Sequence, residues 1–296
     1  MILNASGCLD ALAAPDVARG LDAYVTKTVT PLPREGNAPA RIAETEGAML
    51  NSIGLANPGI DAFAGETLSR LLKLGVPLWV SVGGFRASDY AEVCGRLEAA
   101  PVDVLELNVS CPNVTAPDAA VAEIVAAARA ATTKPLYAKL SPHLPDLPSA
   151  AAAAAEAGAD GLTLVNTLRG LALDERTLHP VLSTAAGGLS GPALRPVALA
   201  AVHACYRATA LPIVGVGGVS SGRHALELVA AGAAAVAVGT ALFADPAAAA
   251  RIRAELAAEL AAHGFADLDA ARGIAHASPG RSLSELTKTA ANQQVY

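Results

Sequence analysis

Cysteines are few and scattered. The four, Cys8, Cys94, Cys111 and Cys205, form no CxxC pair and no cluster-ligating spacing. The chain therefore holds no iron–sulfur cluster of its own, and reduced thiols in a cytoplasmic protein are expected. The six histidines show neither an HExxH motif nor a paired spacing, so no metal site is expected. Basic patches are missing too. Net charge is −6 with both signs mixed along the chain, which argues against a nucleic-acid surface or a polybasic membrane patch. The longest apolar stretches are alanine-rich, and Gly, Asp or Arg interrupts them well short of a membrane span. Met1-Ile2-Leu3-Asn4 has no charged segment followed by a long apolar one, so no signal peptide is expected. Aromatics are only 3% of the 296 residues, but hydrophobic residues are 53%, ample for one large core.

What is present is a rhythm. Apolar strand-like runs occur at 2–6, 24–27, 78–82, 104–109, 136–140, 162–166, 213–216 and 235–239. Helical patterns at 118–131, 147–157, 195–208, 223–231 and 246–263 separate many of them, the last expected to open with Asp245 as N-cap and Pro246 in its first turn. Strands alternating with helices predict a parallel sheet covered by helices, and eight of them predict a single-domain (β/α)8 TIM barrel. The rival, an open doubly wound sheet, needs G-x-G-x-x-G after its first strand. Gly215-Val216-Gly217-Gly218-Val219-Ser220 fails at the third glycine and comes late. No domain boundary is visible. The barrel is assigned to 1–276, and 277–296 reads as a polar C-terminal tail. The Pro-rich stretches 30–39 and 140–148 read as long loops at strand ends.

In a barrel the reactive face lies at the C-terminal strand ends. The most pointed of these is Leu105-Glu106-Leu107-Asn108-Val109-Ser110-Cys111-Pro112-Asn113, where an alternating strand stops at Pro112. Asn108 and Asn113 offer donors and an acceptor to a planar, amide-rich ligand, and the Cys111 thiol can exchange a proton near neutral pH. Against this, a free cysteine is usually a small buried hydrophobe, the reading preferred for Cys94 and Cys205; Cys8 is open to either. Lys27 and Lys139 each end an apolar run and need an anionic partner, or else snorkel. Gly217-Gly218 and Gly239-Thr240 end the last two strands, with Ser220-Ser221 placed to cap a helix near Gly222. Such a pair of turns suits a phosphate better than plain tight turns. Asn51-Ser52-Ile53-Gly54-Leu55 reads as a loop, either lining a cavity or an ordinary turn.

These residues resemble the class 1 dihydroorotate dehydrogenases. The match runs through Asn4-Ala5-Ser6-Gly7, Lys27-Thr28, Asn51 to Leu55, Asn108 to Asn113, Lys139-Leu140-Ser141-Pro142, Val165-Asn166-Thr167, Gly187-Gly188-Leu189-Ser190-Gly191-Pro192, Gly215 to Gly218 and Val238-Gly239-Thr240. It covers nearly the whole chain in order. Gly7-Cys8 and the Gly-Gly-Leu-Ser-Gly-Pro run look most like the NAD-linked class 1B catalytic subunits.

The resemblance implies an FMN enzyme of pyrimidine biosynthesis that oxidises (S)-dihydroorotate to orotate. Cys111 would take the C5 proton, and a hydride would leave C6 for flavin N5. It places Lys27, Asn51, Ile53, Gly54, Leu55, Asn108, Asn113, Asn166 and Thr167 on the pyrimidine. It places Ala5, Ser6, Lys27, Thr28, Asn108, Lys139, Val165, Gly191, Gly217, Gly218, Gly239 and Thr240 on FMN. It further implies a homodimer, or a heterotetramer with an electron-transfer subunit carrying FAD and a [2Fe-2S] cluster. One departure stands out. After Asn113 the family carries a longer, glycine-containing loop, whereas Val114-Thr115-Ala116-Pro117 leads almost at once to Asp118. A shortened cover over the base leaves room for a dihydropyrimidine dehydrogenase-type flavin enzyme acting on another pyrimidine; the alternative of a different class is a non-catalytic flavin- or phosphate-binding scaffold kept as a partner subunit.

Overall fold

The structure, a computed structural model, describes residues 1–109 and 117–277. Cys111, Asn113 and the tail from 278 onward lie outside the described residues. The strands in chain order are β1 (Ile2–Asn4), β2 (Tyr24–Val25), β3 (Ile42–Thr45), β4 (Ala48–Asn51), β5 (Leu78–Val82), β6 (Val104–Asn108), β7 (Leu136–Leu140), β8 (Gly161–Leu164), β9 (Leu168–Leu171), β10 (Ala186–Ser190), β11 (Ile213–Val216) and β12 (Ala235–Val238). Eight of them form one parallel sheet in the order β1-β12-β11-β8-β7-β6-β5-β2, matching the eight expected runs. The sheet has two sides because alternate residues point opposite ways. Leu3, Val25, Trp79, Val104, Val214, Val216, Ala235 and Ala237 fill the interior. Leu105, Leu107, Val80, Val82, Leu136 and Leu140 point outward onto the helices. Burying one such leucine stabilises the fold by about 1.5–3 kcal/mol.

The seam between β1 and β2 closes the barrel with little backbone ladder. Asp22 N–H donates to Ile2 C=O at 3.0 Å, and Leu3 and Ala23 form an isolated parallel bridge. The rest is done by a side chain. The Asn4 Nδ2 donates to Val25 C=O at 2.8 Å and its Oδ1 accepts from Val25 N–H at 2.8 Å. A fully buried carboxamide thus imitates a peptide unit. Asn4→Ala leaves a buried N–H and C=O unpaired and is expected to cost about 2–4 kcal/mol in urea unfolding; a loss below about 1 kcal/mol would show that the seam does not depend on it.

Helices at Pro117–Ala131, Leu147–Glu156, Arg195–Ala208 and Gly222–Ala231 match the expected ones to within a residue. The last long helix differs at its start. It runs Ala248–Ala262, because Asp245 ends the preceding short helix and turns its carboxylate onto the Ala247 N–H at 2.9 Å. Pro246 therefore sits in a turn rather than in the first helical turn.

A second, antiparallel sheet of order β3-β4-β10-β9 was not expected. Its β10 contains Gly187 and Gly188, poor strand formers. Packing explains them. A Cβ on Gly187 would fall 2.5 Å from the Asn51 carbonyl oxygen, and one on Gly188 would strike the Thr167 side chain. The 51–55 segment is therefore the end of β4 followed by a loop.

Candidate active site

The C-terminal strand ends open into a cavity of about 1260 Å³. The antiparallel sheet forms one wall of it, through Ile42, Met49, Asn51, Ala186, Gly188 and Ser190. Every expected site residue that the structure describes lines this one cavity. Ala5, Ser6, Lys27 and Thr28 come from the first two strand ends, and Asn108, Lys139, Val165, Asn166 and Thr167 from β6 to β8. Asn51, Ile53, Gly54, Leu55 and Gly191 come from the sheet wall and its loops, and Gly217, Gly218, Gly239 and Thr240 from the last two strand ends. Leu55 sits at φ 57°, a conformation rare for a leucine, with its carbonyl held by Asn57 Nδ2 at 2.7 Å.

The carboxamides are locked by one another. Asn166 Nδ2 donates to Asn108 Oδ1 at 3.0 Å, Asn108 Nδ2 donates to Thr28 Oγ1 at 3.2 Å, and Asn166 Oδ1 accepts from Thr167 N–H at 2.8 Å. Thr28 Oγ1 in turn meets Ser81 Oγ at 3.0 Å. The Tyr90 hydroxyl donates to the Asn108 carbonyl at 2.8 Å and fixes the strand end itself. Across the cavity, Asn51 Nδ2 donates to Gly188 C=O at 3.1 Å. Ser81 and Tyr90 escape a reading of strand ends alone, because they act from one residue deeper and from a helix.

The cavity is cationic. Burial pushes the Lys27 ammonium below the ordinary lysine range; the Cys8 sulfur works against this shift and Lys139 adds to it. Lys27 lies across Gly7, where a Cβ would come within 3.0 Å of its Cδ. Lys139 is buried and pairs with Glu106, Nζ to Oε1 at 3.6 Å. Cys8 lines the cavity, but burial pushes its thiol up, with Lys139 and Lys27 only partly offsetting this. Cys94 and Cys205 are fully buried, and burial pushes both thiols up to about 12, as fits inert small hydrophobes.

At the last two strands the backbone is shaped by glycine. Gly217 and Gly218 have φ of 135° and 70°, and a Cβ on Gly218 would lie 2.6 Å from Arg195 Cβ. The N–H groups of Gly218 and Thr240 donate to no other described residue. Thr240 Oγ1 donates to Ser190 Oγ at 2.9 Å, tying this end to the sheet wall. The helix start after them corrects the expectation in part. Ser221 does cap it, accepting from His224 N–H at 3.3 Å, but the Gly222 N–H is already taken by Glu255 Oε2 at 2.7 Å. A carboxylate of the protein fills the place expected for an anion, so the glycine turns are the part of this end that remains suited to a phosphate. Among the described residues no group of three or more His, Cys, Asp or Glu is arranged to hold a metal ion, and no helix is long and apolar enough to cross a membrane.

Residues 1–260 match the family model described as dihydroorotate dehydrogenase. The chain is 45% identical over 269 residues to the dihydroorotate dehydrogenase B (NAD(+)) catalytic subunit of Desulforudis audaxviator, covering 88% of each chain. It is 47% identical over 255 residues to the protein of the same name from Pelobacter propionicus, covering 83% of this chain and 84% of that one. Among solved structures it superposes with a TM-score of 0.80 on DHODH from Eimeria tenella in complex with ferulenol, at 25% identity, over 94% of this chain and 85% of that one.

Proposed function

Because the chain belongs to the dihydroorotate dehydrogenase family, we propose that it is a cytoplasmic FMN enzyme that oxidises (S)-dihydroorotate to orotate in pyrimidine biosynthesis, with Cys111 as the base. The observation that carries this is the meeting of two lysines, three asparagines, two of them hydrogen-bonded to each other, and two glycine turns in one cavity at the barrel mouth. Such a lining fits a flavin mononucleotide: the turns at Gly217-Gly218 and Gly239-Thr240 leave room and N–H groups for a phosphate, and Lys139 and Lys27 suit an electron-rich ring edge. When bound, the flavin supplies the hydride acceptor.

The chain's own residues do the rest. Asn51, Asn108 and Asn166, with Asn113, hold the two amides of the dihydropyrimidine by donor–acceptor pairs, which the hydrogen-bonded Asn108 and Asn166 hold ready. Lys27 answers the substrate carboxylate. Cys111, three residues beyond Asn108, takes the ring proton as a thiolate. A partner subunit bearing FAD and a [2Fe-2S] cluster passes the electrons on to NAD, the two proteins forming a heterotetramer around a catalytic homodimer.

The first test is to purify the chain without a tag and titrate it with orotate and with uracil. A yellow protein whose visible band is perturbed by orotate well below the uracil concentration needed is expected. A preference for uracil would favour the dihydropyrimidine dehydrogenase-type alternative, and a colourless protein that takes up no FMN would favour a non-catalytic role.

A further inference from the structure

Glu106 stands one layer below the cavity. It shares the inward face of β6 with Val104 and Asn108, whereas Leu105 and Leu107 face outward. It is 2% exposed and does not itself line the cavity, but Lys139 does. Its Oε1 lies 3.6 Å from Lys139 Nζ and has no hydrogen-bond partner among the described residues. On β8, Thr163, in register with Lys139, also has its buried hydroxyl unpartnered. A buried carboxylate with so few hydrogen bonds is a poor stabiliser in its own right. Its effect is felt through the lysine beside it.

We infer that Glu106 is a positioning residue, a resident counter-charge that holds the Lys139 ammonium at the cavity floor and tempers how strongly that floor favours a bound anion. Together, Lys27, Lys139 and Glu106 leave one positive charge for a ligand to answer. Without the carboxylate there are two. The lowered proton affinity of Lys27, due first to burial and then in part to Lys139, fits a floor already crowded with positive charge. The inference rests on the reading that a flavin occupies the cavity, whose reduction adds negative charge near these groups.

The experiment measures the midpoint potential of the bound flavin in the wild type, Glu106→Gln and Glu106→Asp. Removing the charge is expected to raise the potential in Glu106→Gln, so that the reduced-to-oxidised ratio at a fixed poise grows about tenfold or more, about 30 mV for a two-electron couple. Glu106→Asp keeps the charge and is expected to stay within about threefold of wild type. Packing damage alone would lower thermal stability in both variants without this upward shift in one. A Glu106→Gln potential at or below wild type, or equal shifts in the two variants, would overturn the inference.

A second arm reads the pair without relying on flavin. In thermal unfolding of the protein as purified, adding Lys139→Met to Glu106→Gln is expected to restore part of the lost stability, because the charge that Glu106 answers is removed with it. If Glu106→Gln alone does not fold, a folded double variant is that same result; simply additive losses would refute the pair. A wild-type protein without flavin would sink the proposed function instead, and the unfolding cycle would then decide this inference alone.

Discussion

Cys111→Ala is expected to slow flavin reduction by (S)-dihydroorotate about a hundred- to ten-thousand-fold at neutral pH, with FMN and orotate still bound. That is the usual contribution of a positioned general base. The expectation follows from the shortage of substitutes. Among the described residues Cys8 is the thiol that lines the cavity, and burial holds its proton on. Lys27 and Lys139 are there to carry positive charge. A serine at 111 should restore little near neutral pH, since a hydroxyl ionises far less readily than a thiol. Anaerobic stopped-flow of the flavin band checks this. Unchanged bleaching in Cys111→Ala would move the base elsewhere.

Lys27→Met is expected to weaken orotate binding about a hundredfold or more, and to remove one side of the pH profile. Losing a charge-assisted contact to a partly buried lysine costs about 2–4 kcal/mol. The sign of the pH effect is fixed by two groups acting oppositely. With the proposed roles, the profile of kcat/KM, which reports the free enzyme, is expected to rise as Cys111 ionises and to fall as Lys27 gives up its proton. Because burial lowers the Lys27 proton affinity, the alkaline fall should begin below the ordinary lysine range of about 10.4. Lys27→Met should abolish that fall and keep the acid limb. An alkaline limb that survives in Lys27→Met would assign it to another group.

Most of the barrel could be read directly from the sequence. Runs such as Ile213–Val216 and Ala235–Val238 are apolar on both faces, as strands packed inside and out must be. The antiparallel wall could not be read that way. Ala186–Ser190 is a strand because close neighbours leave room only for glycine at 187 and 188, a condition set by Asn51 and Thr167 far away in the chain. Ile42–Thr45 is largely exposed, so it lacks the alternation that marks a half-buried strand. Many of the polar residues that line the cavity were legible because they stand at strand ends, whereas Ile53, Gly54, Leu55 and Gly191 came with the family resemblance. Glu106 is not at a strand end: it lies two residues before Asn108 on the same face, in the middle of an apolar strand. A charged residue facing the inside of a barrel is the signal that would have found it.

Anaerobic mixing of the FMN-loaded protein with (S)-dihydroorotate, followed at the visible flavin band, tests the assignment of this cavity most directly. Rapid bleaching by dihydroorotate, with dihydrouracil leaving the band unchanged on the same timescale, is the predicted result. A protein that holds FMN in full yet stays yellow in dihydroorotate, while another dihydropyrimidine bleaches it, would contradict the assignment of this cavity.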